Sequence, residues 1–211
     1  SKINLKKTFE VSKIFKKQKF IEKIHSNSEN IPIDSLSKDF VWCNGVLMHT
    51  HNPLKSLMQI NRILKNNHYA YIYVYGVGGL YWSLVEIFRN ELKNISPKKL
   101  IDVLLNLGYS NRYVAEYLDD WKVLHLRKYS KKNFEKAIIK CGFKIVKYMN
   151  RGLNYDTSEK KYKTRNRIYG DGELRYLIKK IKHKSSISEN LFLKNSCKYK
   201  ESKKIEKFIL M

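Results

Sequence analysis

The fold of this 211-residue chain is decided by two segments, DFVWCNGVL at Asp39 to Leu47 and YAYIYVY at Tyr69 to Tyr75. Both are rich in β-branched and aromatic residues, and the second is apolar on both faces. Continuous apolar strands are typical of a parallel sheet that helices cover. Between them, an apolar stripe from Leu54 to Leu64 predicts a helix that begins at Pro53 and stops before Asn66-Asn67. This order of elements predicts an α/β protein.

The flanking sequence extends the alternation of helices and strands. A helical pattern with Lys on its polar face precedes the first segment, and a short alternating stretch follows that pattern. The predicted helices are Asn4 to Lys17, Leu80 to Leu92, Pro97 to Leu107, and a helix capped by Ser130 and ended by Gly142; the predicted strands are Lys19 to His25, Phe143 to Met149, and Glu173 to Lys179. A long polar loop is expected to join the last two strands. Such alternation favours an open α/β sheet.

The composition is strongly basic, with 43 Lys and Arg against 19 Asp and Glu and a formal net charge of +24. Lys outnumbers Arg 35 to 8, and Asn and Ile are also abundant, which is typical of an A/T-rich coding sequence. Arg is the residue that planar phosphate recognition favours. The composition therefore does not favour nucleic acid as a partner, and the 43% apolar content predicts a packed core.

The three cysteines, Cys43, Cys141 and Cys197, are odd in number and far apart. This pattern fits neither a disulfide scaffold nor a zinc site with close ligand pairs, and it indicates reduced thiols. No apolar run reaches the roughly 20 residues that a membrane-spanning helix needs. We therefore expect a cytoplasmic protein.

Several landmarks of a known family stand in order along the chain. Residues 28–33 (SENIPI) resemble the loop after the third strand of the class I S-adenosylmethionine-dependent methyltransferases of the small "type 11" kind. Residues 39–47 resemble the fourth strand, residues 48–53 (MHTHNP) the turn that follows it, and residues 60–65 (INRILK) the helix end before the fifth strand. An ordered set of this kind is more specific than any one motif.

The resemblance implies a partial Rossmann-like sheet that is mixed and ends in an antiparallel pair of strands. Two features of the family, the glycine-rich turn after the first strand and the acidic residue that ends the second, have no counterpart in the sequence. We therefore expect the first two strands to be missing, and the chain to be the C-terminal part of a longer enzyme and inactive by itself. The segment Lys19 to His25 should then pair directly with Asp39 to Leu47 or leave no ladder between them.

The resemblance also implies a domain division. Residues 1–181 would form a truncated methyltransferase domain, in which residues 76–120 are a helical insertion or cap over the substrate site. Residues 182–211 have Lys-rich, polar character without a clear period, which predicts a mobile basic tail.

The candidate site residues follow from the same resemblance. His49 is the candidate proton acceptor, because a His with an ordinary pKa can take a proton near neutral pH. The alternative is a structural role, in which His49 hydrogen-bonds the backbone and shapes the floor of the pocket; a His near a site more often has such a role than that of a base. The candidate substrate-binding residues are Tyr75 and Trp82, whereas Trp42 is assigned to packing within its strand. The candidate cofactor-binding residues are Asn27, Ser28, Glu29, Asn44, Gly45 and Val46.

The acidic residues of the predicted loop, among them Asp156 and Glu159, have irregular spacing and no His partner, so no metal site is predicted. The expected function is methyl transfer from S-adenosylmethionine to a small-molecule or lipid-like acceptor. A second hypothesis stays open, namely a non-catalytic fragment that acts as a basic binding module.

Overall fold

The computed structural model describes residues 2–17, 19, 21–149 and 165–184. Helices and strands alternate along most of this range. The helices are α1 (Lys2–Ile14), α2 (Pro53–Ile63), α3 (Leu80–Leu92), α4 (Pro97–Asn106), α5 (Asn111–Lys122), α6 (Lys131–Lys140) and α7 (Arg165–Tyr169). The strands are β1 (Lys38–Asn44), β2 (Leu64–Gly76), β3 (Lys128–Tyr129), β4 (Phe143–Met149) and β5 (Glu173–Lys180).

The strands form one mixed sheet in the order β1-β2-β5-β4, with the short β3 paired to the end of β2. β1 and β3 run parallel to β2, whereas β5 is antiparallel to both β2 and β4. The prediction of a mixed α/β sheet with an antiparallel C-terminal pair is thereby confirmed. Because β1 and β2 are parallel, their carboxyl ends meet at one edge, which is where open α/β sheets place ligands.

The main core lies between one face of this sheet and the helices α2 and α6. Ala70, Ile72 and Val74 of β2 have no exposed surface and point to this side. Ser130 caps α6 by accepting a hydrogen bond from the backbone N–H of Asn133 at 3.3 Å, as its sequence pattern predicts. Phe134 of α6 is likewise fully covered in this core.

Three sequence predictions about backbone structure are wrong. The segment predicted as a strand at Lys19 to His25 has irregular backbone at residues 21–25, so β1 pairs only with β2 among the described residues. Its alternation is weak and interrupted by charged residues, so it offers no apolar face to bury. The strand predicted at Tyr69 to Tyr75 begins earlier, because β2 follows α2 directly at Leu64, which pairs with Lys38. Part of the predicted loop before β5 forms α7.

The second face of the sheet carries tyrosines, and helices do not cover it along its whole length. Trp42, which the sequence assigns to packing, is 65% exposed and lies stacked on Tyr71 with ring centroids 4.0 Å apart. Phe40 is also 49% exposed. The assignment of Trp42 to the core is therefore wrong, because a strand position is buried only where another layer covers it.

A second apolar cluster lies between α4 and α5, around Leu100, Leu104 and Val114. The helix α5 has apolar residues at helical spacing after Ser110, a signal that the sequence prediction did not use. In the described part of the chain, no helix is both long enough and apolar enough to cross a membrane. Of the predicted tail, residues 182–184 have no helix or strand, and the remainder lies outside the described residues.

Candidate functional site

His49 lies in a single turn of 3-10 helix, Leu47–His49, just beyond the carboxyl end of β1. Its Nδ1 atom is 2.9 Å from the backbone carbonyl oxygen of His125. A carbonyl oxygen can only accept a hydrogen bond, so Nδ1 carries the proton in the neutral ring. The other nitrogen, Nε2, then has a free lone pair and can accept a proton.

The Nε2 atom of His49 faces the end of α5. It lies 4.0 Å from Oδ2 of Asp119, whose side chain is 56% exposed, whereas the His49 side chain is 23% exposed. The ring of Tyr75 lies edge-on to His49 with centroids 6.0 Å apart. The candidate base therefore stands where β1, β2 and α5 come together.

Tyr75 and Trp82, the two predicted substrate-binding residues, are in contact, with ring centroids 4.8 Å apart. Tyr81 packs against Trp82 at 5.0 Å. Trp82 is only 6% exposed, so it supports the other rings from behind rather than presenting its own surface. The structure thus brings together His49, Tyr75 and Trp82, which are separate in the sequence.

Carboxylates surround this aromatic cluster. The Tyr73 hydroxyl donates a hydrogen bond to Oε1 of Glu173 at 2.8 Å, and the second Glu173 oxygen, Oε2, pairs with Arg175 at 2.6 Å. Burial, reinforced by the Glu173 charge, raises the pKa of Tyr73 far above its ordinary value. Burial and the charges of Asp120 and Asp119 raise the pKa of Tyr75 in the same direction. Both phenols therefore stay protonated at neutral pH.

Asp120 is buried and accepts a short hydrogen bond from the Tyr81 hydroxyl. Burial raises the pKa of this carboxyl, and the hydrogen bond from Tyr81 opposes the change. Arg89 holds the end of α5 by donating hydrogen bonds to the backbone carbonyls of Asp120 and Val123, at 2.7 and 2.9 Å. The carboxylate end of α5 is thereby fixed against α3.

The three predicted cofactor residues before β1 form a turn that is attached to the start of α2. The backbone N–H of Glu29 donates to Oδ1 of Asn27 at 3.0 Å, and Oε1 of Glu29 accepts from the backbone N–H of Asn52 at 2.7 Å. The hydroxyls of Ser28 and Ser56 are 3.0 Å apart. These side chains already have structural partners, so a ligand here would meet mainly backbone.

The three predicted cofactor residues after β1 form an exposed ledge at the carboxyl end of that strand. Asn44 is exposed, Val46 is 42% exposed, and Gly45 between them has φ of +69°. This conformation favours glycine over any other residue. Among the described residues, only the Tyr73 ring, at 3.8 Å, would lie near a Cβ atom at position 45, so this part of the chain leaves the backbone open to a ligand.

Several residues of the site were not predicted from the sequence. Asp119, Asp120 and the carbonyl of His125 reach His49 from the α5 region, which lies far away in the chain. Their positions depend on how α5 packs, and no local pattern signals that. Among the described residues, no group of three or more His, Cys, Asp or Glu side chains could hold a metal ion. Asp156 and Glu159 lie outside this part of the chain.

Comparisons with known proteins concern the family and the fold. Residues 4–72 match the family model described as a methyltransferase domain. The match includes His49 and all six candidate cofactor residues, whereas Tyr75, Trp82 and the helices α3 to α5 lie beyond it. A search of curated proteins finds no match.

Two solved structures illustrate the fold. A protein from Galdieria sulphuraria, assigned as a sarcosine dimethylglycine methyltransferase, has a TM-score of 0.51 at 16% identity. The match spans 87% of this chain and 67% of the Galdieria protein. The cyclase SpnF has a TM-score of 0.50 at 12% identity, and the match spans 85% of this chain and 64% of SpnF. About a third of each neighbour therefore has no counterpart in this chain. At such identities the likeness concerns the fold alone.

These findings confirm the resemblance inferred from the sequence. The described fold is similar to that of the methyltransferase-fold structure from Galdieria sulphuraria, and residues 4–72 match the methyltransferase domain model. Because SpnF shares the fold and is a cyclase by its description, the reaction has to be argued from the site.

Proposed function

We propose that this protein transfers a methyl group from S-adenosylmethionine to a small-molecule or lipid-like acceptor, with His49 as the general base. The observation that carries the proposal is the orientation of His49. Its Nδ1–H is held by the His125 carbonyl at 2.9 Å, so the basic Nε2 is left free, 4.0 Å from Asp119, and the Tyr75 ring lies edge-on to the imidazole with centroids 6.0 Å apart. The methyltransferase family match supports the cofactor, since it spans this residue.

S-adenosylmethionine supplies an electrophilic methyl group on a sulfonium sulfur when it is bound. The protein then has to position the acceptor, exclude water and remove a proton from an oxygen or nitrogen nucleophile. His49 fits the last task, because the residues around it fix the ring and leave one lone pair free. Asp119, 4.0 Å from Nε2, stabilises the positive charge that His49 gains when it accepts the proton.

The ledge of Asn44, Gly45 and Val46 would hold the methionine part of the cofactor. Its backbone is open, it lies at the ligand-binding edge of the sheet, and it is next to the turn that carries His49. The turn of Asn27, Ser28 and Glu29 would border the adenine side through its backbone. Few side-chain donors remain free in these two segments, so we expect weak binding by this chain.

The helices of residues 76–120 would act as a cap on the acceptor side. In this cap, Trp82 of α3 packs against Tyr75, and the hydroxyl of Tyr81 links α3 to α5 by donating a hydrogen bond to Asp120. A cap of this kind excludes water from the reacting atoms.

Binding of the cofactor product S-adenosylhomocysteine tests the ledge. In amide NMR spectra at millimolar ligand, we expect the signals of Asn44, Gly45 and Val46 to shift. A Gly45→Val substitution should abolish these shifts. Gly108→Val is the matched control, because Gly108 also has positive φ but lies far from the ledge. If the ligand shifts no signals, or only signals elsewhere, the cofactor assignment is wrong and the binding-module hypothesis is favoured.

The role of His49 is tested in the full-length protein, by the release of S-adenosylhomocysteine with a panel of hydroxyl, amine and thiol acceptors. Loss of a general base typically reduces turnover by about a hundredfold. We expect His49→Gln to show a loss of that order and His68→Gln, at the opposite end of β2, to show none. Equal turnover in the two variants would assign His49 a structural role only.

A further inference from the structure

We propose that the methyl acceptor is an amine that enters as an ammonium ion and is held between the rings of Tyr75 and Tyr81 and the carboxylate of Asp119. This inference rests on the proposed function and names its substrate class. It is carried by three separate features of the site, namely the aromatic rings, the balance of charge around them and the free nitrogen of His49.

The aromatic rings form the first feature. Tyr75 and Tyr81 are both partly exposed and both pack on the buried Trp82, at 4.8 and 5.0 Å. Tyr169 lies beyond Tyr81 with ring centroids 6.1 Å apart. The faces of such rings attract cations within about 6 Å of the centroid, and the attraction increases as the site loses water. The cluster therefore favours a cationic over an anionic acceptor.

The carboxylates form the second feature. Asp119, Asp120 and Glu173 all lie close enough to Tyr75 to act on its hydroxyl group. Glu173 already pairs with Arg175, and Asp120 accepts from Tyr81. Asp119 has only the His49 ring as an ion-pair partner among the described residues, at 4.0 Å. An ammonium ion beside Tyr75 would supply the missing positive charge.

The nearby cations already have partners of their own, although Lys128 Nζ also lies over the Trp82 ring, 5.4 Å from its centroid. Lys128 forms a short ion pair with Glu86, and Arg127 donates to the backbone carbonyls of Thr50 and His51 at 3.3 and 2.9 Å. Residues 80–124 contain six basic and six acidic side chains, in a chain with a net charge of +24. The segment of residues 80–124 is therefore neutral overall in a strongly basic protein.

The free nitrogen of His49 is the third feature, and it matches what amine chemistry requires. An ammonium ion has no lone pair, so it must lose a proton before it can attack. The proton passes to Nε2 of His49, the nitrogen lone pair forms the new N–C bond, and the S–C bond of the donor breaks with its electrons left on sulfur. The immediate product is an N-methylated ammonium ion, which carries the positive charge that the sulfonium lost, and the imidazolium that results is stabilised by Asp119.

Binding of matched probes to this chain tests the inference without the cofactor. The probes are 2-phenylethylamine, which is cationic at pH 7, and 2-phenylethanol, its neutral counterpart of similar shape, with 3-phenylpropionate as the anion. Dissociation constants come from NMR titrations. We expect the amine to bind about tenfold more tightly than the alcohol, and the anion to bind most weakly.

Asp119→Asn should remove most of this preference for the amine over the alcohol. Trp82→Leu should weaken binding of the amine, because Tyr75 and Tyr81 lose the ring on which they pack. Glu116→Gln is the matched control, since it removes a carboxylate one turn earlier on α5 that pairs with Arg112 on the surface. Equal affinity for amine and alcohol, or a preference that survives Asp119→Asn, would overturn the inference.

Failure of this inference can be distinguished from failure of the proposed function, because probe binding and methyl transfer are measured separately. Amine preference without any methyl transfer would support the cation site and overturn the proposed function. Methyl transfer to hydroxyl compounds without amine preference would support the proposed function and overturn the amine assignment.

Discussion

The two faces of β2 differ both in their side chains and in their surroundings. On one face Ala70, Ile72 and Val74 are completely buried under α2 and α6. On the other face every second residue is a tyrosine, and no described helix covers its start: Tyr71, 6% exposed, lies under the stacked Trp42 ring, and Tyr75 packs on Trp82 of α3. At the start of this face Tyr69 is 39% exposed. One face of the strand therefore serves stability, and the other ends in the candidate site.

The comparison teaches that residue type alone does not assign a strand position to core or to site. A tyrosine has an apolar ring and a polar hydroxyl, so it tolerates half-burial and needs a partner only for its hydroxyl. The covered face has aliphatic side chains, which gain stability only when water is excluded.

The largest expected effect is on the covered face. Ile72→Ala should lower the free energy of unfolding by about 3 kcal/mol, because it leaves a cavity in a fully packed core. Trp42→Ala, on the exposed face, should cost about 1 kcal/mol from loss of its stacking on Tyr71. Urea denaturation followed by circular dichroism compares the two. Equal losses would show that both faces are equally packed.

A smaller effect on stability is expected at the last residues of β5, where Lys179 and Lys180 lie on opposite faces of the sheet. Lys180 is fully buried and donates hydrogen bonds to the backbone carbonyls of Asn61 and Leu64, at 2.6 and 2.8 Å. Lys180→Met leaves both carbonyls without this donor and should cost about 2 kcal/mol. Lys179→Met, on the tyrosine face, should stay within about 0.5 kcal/mol. Thermal unfolding of both variants at one pH is the measurement.

The smallest effect concerns alkaline pH. Burial raises the pKa of Tyr73 and Tyr75 above that of an unfolded tyrosine, which is about 10. The folded state then binds more protons than the unfolded state, so stability is full below pH 10 and falls as pH rises above it.

Tyr73→Phe should make this fall less steep, by up to about 1.4 kcal/mol per pH unit. Tyr113→Phe, a change at an exposed tyrosine of α5, should leave the slope as it is. Chemical unfolding at intervals between pH 8 and 11 measures the slopes. A steeper fall in Tyr73→Phe than in the parent protein would contradict the prediction.

Much of the fold could be predicted because its signals are local. The cap at Ser130 and the apolar spacing after it define α6, and the Pro53 start and apolar stripe define α2. The antiparallel pairing of β4 with β5 followed from the resemblance to a family. By contrast, the exposure of Trp42 depends on whether another layer covers β1, and the residues of β1 do not indicate this.

The candidate site was only partly predictable for the same reason. His49, Tyr75 and Trp82 stand next to strand ends, so their general location follows from the predicted strands. Asp119 could not be assigned, because its proximity to His49 depends on the way α5 folds back on α3. That packing is held by Arg89 and Tyr81, whose contacts span distant parts of the chain.

The sequence by itself determined the alternation of helices and strands, the strand ends where ligands bind, and the ordered family pattern that residues 4–72 share. Periodicity, caps and turns act over a few residues, so a linear sequence expresses them directly. The tertiary structure alone decided which face of β2 is core, which nitrogen of His49 is free, and which carboxylate faces it. Those properties depend on contacts between elements far apart in the chain, which form only when the elements pack together.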